Sequence, residues 1–113
     1  MMEREDGETM DKVAALTEIL SQYPKNAFAR YGLAMEFAGR GEVETALAEF
    51  ERLRADNPEY VPGYLMAAQT LARAGRQADA KQRLTEGIAC ARKAGNNHAL
   101  SEMQAMLDEM EME

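Results

Sequence analysis

Apolar residues recur at intervals of three and four along most of the chain, the spacing that gathers side chains on one face of an α-helix. Val13, Leu16, Ile19 and Leu20 form the first such stripe, which stops at Tyr23-Pro24. Leu33, Ala34 and Phe37 form a second, ended by Gly41, and Ala46, Leu47, Phe50 and Leu53 form a third, closed by Asn57-Pro58. Tyr64, Ala67, Ala68 and Leu71 precede Gly75; Ala80, Leu84, Ile88 and Ala91 run to Gly95; Leu100, Met103, Leu107 and Met110 make the last stripe. The pattern predicts an all-α chain of about six helices, because each stripe has helical period and is bounded by a helix breaker. Glycine can take the left-handed conformation that ends a helix, the residue before proline is biased away from helix, and Pro62 suits a first turn that has no use for its N–H. Asn97 is the expected N-cap of the final helix.

The stripes are copies of one another. A shift of 34 residues lays Ala34 on Ala68, Ala38 on Ala72, Gly41 on Gly75 and Ala46 on Ala80, with Leu33 on Ala67, Phe37 on Leu71 and Phe50 on Leu84. Pro24 precedes Pro58 by the same step. Small residues fall on small ones and most bulky residues on apolar partners, so each copy reads as two helices joined by a short glycine turn. The expected layout is a tail over residues 1–8, a helix over 9–24 that is the second half of a truncated repeat, full copies over 27–60 and 61–94, a capping helix over 96–110, and a tail over 111–113. Ala46 and Ala80 are the expected crossing points where two helices approach closely.

This period and these positions resemble the tetratricopeptide repeat, a helix–turn–helix unit of about 34 residues. Leu33, Ala34, Phe37, Gly41, Ala46, Phe50 and Pro58 match its pattern in the first copy, and Ala68, Leu71, Gly75, Ala80 and Leu84 in the second. Three positions depart from it. Arg30 stands where the family usually has a large aromatic, a place that Tyr64 fills in the second copy; Arg92 replaces the closing proline; and Gly87 replaces a larger core residue, which suggests looser or locally adjusted packing there. The resemblance implies a right-handed superhelical stack of antiparallel helix pairs, with a concave surface made chiefly of the leading helix of each pair.

That surface is where the family usually binds peptides. The residues it would present are Phe28, Tyr31, Met35 and Ala38 on the first leading helix, and Pro62, Leu65, Gln69 and Ala72 on the second, with Arg73 at the edge. The aromatic, thioether, aliphatic and amide groups suit an apolar segment of a partner protein. Chaperone-binding members of the family hold a C-terminal carboxylate with Lys and Asn. The matching places here carry Tyr31, Met35, Met66 and Leu100, which disfavours a ligand ending in a free acidic tail. Tyr31, Met35 and Leu65 are equally compatible with ordinary core packing. The alternative function is self-association as a scaffold or homodimer, through the same stripe or the methionine-rich last helix with Met103, Met106 and Met110.

Composition removes other classes. The formal charge of −7 and the dispersal of arginines among acids leave no basic face for nucleic acid. The acidity reads as solubility or as a preference for basic partner segments. Cys90 is the only cysteine and His98 the only histidine, so no intrachain disulfide and no zinc-ligand set is expected, and no cofactor. Residues 1–8 lack the basic start and apolar run of a signal peptide, and no apolar stretch is long enough for a membrane span, so the expected location is cytoplasmic. Catalysis is not expected: Gly39-Arg40-Gly41 lacks the lysine of a phosphate loop, and Glu49 and Glu51 read as a solvated helix face.

Overall fold

The computed structural model describes the backbone of residues 2–112 and the side chains of residues 12–112. The helices are α1 (Met2–Gln22), α2 (Ala27–Gly39), α3 (Val43–Asp56), α4 (Val61–Arg73), α5 (Gln77–Ala94) and α6 (Asn97–Glu111), with no strand among the described residues. The chain divides after Asp56 into two compact units, α1–α3 and α4–α6.

Both hairpins reverse direction by the same device. Gly41 and Gly75 have φ of 78°, and Gly95, after α5, has φ of 72°, a left-handed region that other residues rarely adopt. The residue after each glycine then donates its N–H to a carbonyl in the last turn of the helix: Glu42 to Phe37 at 3.0 Å, Arg76 to Leu71 at 2.9 Å and Asn96 to Ala91 at 2.9 Å. These bonds satisfy carbonyls that the helix end would otherwise leave without partners.

In the first unit, α2 packs between α1 and α3. Leu20, Ala29 and Leu33 form a buried cluster, flanked by the half-buried Val13, Leu16 and Phe37. A Cβ at Gly32 would stand 3.3 Å from Leu16 Cδ1, so α1 and α2 approach almost too closely for a side chain at that point. Ala46 is fully buried on α3 and Phe50 and Leu53 complete that core face, each large side chain contributing about 1.5–3 kcal/mol by leaving water.

In the second unit, α5 packs on both α4 and α6. Tyr64, Ala67, Ala68 and Leu71 on α4, Ala80, Leu84, Ile88 and Ala91 on α5, and Met103 and Met110 on α6 are all buried. The small residues expected at the helix crossings are therefore in the core of both hairpins.

Several details differ from expectation. Helix α1 reaches back to Met2, so most of the tail expected over residues 1–8 is helical; Met, Glu and Arg dominate that segment and are strong helix formers. At the other end α6 runs through Glu111, while Met1 and Glu113 lie outside the described residues. Ile19 is 40% exposed rather than part of the core stripe. The cap of α6 is Asn96, not Asn97: its side chain accepts from the Ala99 N–H at 3.0 Å, because the Gly95 turn leaves Asn96 as the last non-helical residue. Of the two readings at Gly87, the packing is locally adjusted and not loose. A Cβ there would fall 2.5 Å from both Met103 Sδ and Tyr64 Cβ, so the volume missing from α5 is filled by side chains of its two neighbours.

Candidate docking faces on the leading helices

The start of each leading helix is tied to the turn before it. Asn26 caps α2 by accepting from the Ala29 N–H at 2.8 Å. Tyr64 in α4 donates its hydroxyl to the Pro58 carbonyl at 2.6 Å. Arg30 stands at the corresponding position of α2, and its guanidinium donates to the Pro24 carbonyl at 3.1 Å. Pro24 and Pro58 are themselves corresponding residues, so an arginine and a tyrosine make equivalent links to corresponding backbone acceptors.

The second nitrogen of Arg30 meets Glu49 Oε1 on α3 at 2.7 Å, with only 12% and 22% of the two side chains exposed. Glu49 is therefore not the solvated surface acid expected from its helix face; it neutralises the cation that stands where the other hairpin has Tyr64. Glu51 pairs with Arg54 on its own helix.

These anchors set which side of each leading helix stays open. On α2, Ala29, Leu33 and Ala34 are buried. Phe28 is 74% exposed, the most open large side chain of that helix, while Tyr31, Met35 and Ala38 are half-buried. Glu36 lies within reach of Lys12 on α1, at 3.9 Å.

On α4 the division is sharper. Val61, Gly63, Tyr64, Ala67, Ala68, Thr70 and Leu71 are buried, and Thr70 satisfies its hydroxyl on the Met66 carbonyl at 2.8 Å. Every other position, namely Pro62, Leu65, Met66, Gln69, Ala72 and Arg73, is half-buried or exposed. At about 100° per residue these six fall on one continuous arc of about 120°, with Gln69 near its centre. Of the residues singled out by sequence, Phe28, Tyr31 and Met35 thus share α2, and Leu65, Gln69 and Arg73 share the open arc of α4. Met66 also belongs to that arc; its place one residue after Leu65 put it at the margin of the periodic pattern.

The described residues hold no group of His, Cys, Asp or Glu arranged to bind a metal. They include no buried side-chain nitrogen or oxygen without a hydrogen bond. Cys90 is half-buried beside the Pro58 carbonyl, with Sγ 3.5 Å from the oxygen. Burial first, and then the carboxylate of Glu59, push its thiol above its ordinary pKa, against a smaller opposing effect of Lys93, which makes it a poor nucleophile. His98 is exposed and near Glu102. No helix among the described residues is long and apolar enough to cross a membrane.

No family model matches the chain. A TPR repeat-containing protein of Pseudomonas aeruginosa is 27% identical over 99 residues, covering 88% of this chain and 94% of that protein. The crystal structure of a tetratricopeptide repeat domain protein from Salinibacter ruber is 35% identical, covers 76% of this chain and 96% of that one, and superposes with a TM-score of 0.72. PcrH, solved in complex with the chaperone binding region of PopD, is 16% identical with a TM-score of 0.85, covering 96% of this chain and 83% of its own. At that identity the likeness is one of fold alone.

Proposed function

The chain belongs to the tetratricopeptide-repeat family, and from that premise we propose that it is a non-catalytic module that holds a segment of a partner protein against the open face of a leading helix, α2 in one unit or α4 in the other. The observation that carries this reading is the partition of α4: all its core-forming positions lie on one side, and the remaining arc presents Leu65, Met66 and Gln69, apolar or amide groups rather than the charges of an ordinary solvated face. A surface helix with no partner to meet more often turns a charged side to water. The exposed Phe28 on α2 supports the same reading, since exposed aromatics are enriched where proteins meet.

In proteins built of such hairpins the leading helices are the usual docking side, and this is where the segment would lie. PcrH, which shares the fold, holds the chaperone binding region of PopD, a precedent for a protein segment as the ligand. The residues proposed to meet it are Phe28, Tyr31 and Met35 on α2 and Leu65, Gln69 and Arg73 on α4. Nucleic acid, a bilayer and a cofactor have no corresponding feature in this reading, and the location is cytoplasmic.

The test is an amide-shift titration against an array of short amidated peptides. A binding peptide should move Phe28, Tyr31 and Met35, or Leu65 and Gln69. Phe28→Ser in the first case and Leu65→Ser in the second should weaken it about five- to thirty-fold, the usual effect of truncating an anchoring contact. Shifts confined to α3 and α5 would refute the assignment. Sedimentation across a concentration series separates this from self-association through the same stripe, which requires a dimer in the absence of peptide.

A further inference from the structure

We propose that the open arc of α4 reads an acidic side chain within the partner segment, through Arg73, next to an apolar residue seated at Leu65 and Met66. This rests on the docking reading above and narrows the chemistry of the ligand. The chain's charge of −7 suggests basic partners, yet its acids avoid the leading helices. Helix α4 contains no Asp or Glu, and α2 contains only Glu36, which lies beside Lys12. A basic segment lying on α4 would find no carboxylate on that helix.

Arg73 is the single charged residue of α4; it is exposed and has no ion-pair partner among the described residues. Several other arginines are engaged, Arg30 with Glu49, Arg40 with Glu42, Arg52 with Asp56, Arg54 with Glu51 and Arg83 with Glu86. Its place in the last turn offsets the helix dipole, a role that leaves the donors of the planar guanidinium open. Charge at longer range is screened over about 8 Å at physiological salt, so the cation in the arc dominates at contact.

A single arginine suits an internal Asp or Glu better than a chain terminus. The family's terminal-carboxylate clamp needs several donors, and its places here carry Tyr31, Met35, Met66 and Leu100. Spacing follows from the helix: Leu65 and Arg73 are separated by about 12 Å of rise, which an extended segment covers in about four residues and a helical one in about eight.

The experiment uses the full chain and acetylated, amidated peptides carrying one leucine in a polar background. Glu, Gln or Lys is placed about four or about eight positions from the leucine, on either side, to match the extended and helical rises. Fluorescence anisotropy should give Glu peptides an advantage of about two- to five-fold over Gln, as for a rim ion pair, and Lys peptides should be weakest. Arg73→Glu should invert the order and Arg73→Gln should flatten it, with unchanged circular dichroism. Equal affinity for Glu, Gln and Lys peptides that still shift Leu65 and Gln69 would overturn the acid preference and leave the docking reading standing. Absence of binding by every peptide would overturn the docking reading, and this inference with it.

Discussion

Replacing Gly87 with alanine adds one methyl group at the point where three helices of the second unit meet. That methyl would lie 2.5 Å from Met103 Sδ, 2.5 Å from Tyr64 Cβ and 3.2 Å from Tyr64 Cγ. A thioether can swing aside where there is room, but Met103 is fully buried. Tyr64 Cβ is bonded to the backbone of α4, and the tyrosine hydroxyl is held by Pro58 at the other end. Relief therefore requires α4 and α5 to separate. Overpacking of this kind costs about 1–3 kcal/mol, while alanine regains about 1 kcal/mol of helix propensity; with backbone-bound Tyr64 Cβ in the way the cost falls at the upper end, for a net loss of about 2 kcal/mol. For a chain of this size that lowers Tm by about 8 °C. Gly39→Ala is the control of opposite sign: it ends α2, has nothing within 4 Å of its ideal Cβ, and gains at most about 1 kcal/mol. Urea denaturation followed by circular dichroism measures both, and hydrogen exchange should place the Gly87→Ala loss in α4 and α5. A Gly87→Ala midpoint at or above the wild type, with Gly39→Ala behaving as expected, would refute the close approach.

Ala46→Leu and Ala80→Leu, at fully buried helix crossings, should each destabilise by about 1–3 kcal/mol; an unshifted urea midpoint would contradict the placement. Glu49→Ala strands the Arg30 guanidinium with one carbonyl partner and should cost about 1–3 kcal/mol, whereas the double change Arg30→Met with Glu49→Leu should recover most of it. A double variant no more stable than Glu49→Ala would show that the buried ion is not the source of the loss. The Cys90 thiol has a folded-state pKa raised above 9.0, so the native state holds its proton more tightly than the unfolded chain. Its contribution is complete below pH 9.0 and is lost as pH rises through the raised value; wild type should weaken across that window relative to Cys90→Ala, and identical pH profiles would exclude the effect.

The hairpins can be read from the sequence because their determinants are local. Gly41 and Gly75 end helices through their own backbone conformation, and Ala46 and Ala80 recur at one period, so neither needs knowledge of a distant residue. Arg30 and Glu49 are different. They lie on separate helices, and each type taken alone reads as a solvated surface charge; only folding brings them together. Gly87 leaves two readings open for a similar reason, since the side chains that fill its space belong to α4 and α6. Between the adjacent Asn96 and Asn97, both good caps, the choice is made by where the Gly95 turn releases the chain. The candidate face follows the same division: periodicity places Leu65, Gln69 and Arg73 on one stripe, but the width of the arc, and hence Met66, depends on how α5 and α6 cover the rest of α4.

The acceptor that Arg30 meets in one hairpin and Tyr64 in the other is in each case a peptide oxygen, an atom that no point mutation removes. Drift between the duplicated hairpins can therefore act only on the donor, and a phenol can give way to a guanidinium provided a carboxylate arrives to balance it. Glu49 supplies that balance in one hairpin; the residue in its place in the other is Arg83, which turns to Glu86 because the phenol brings no charge to be met.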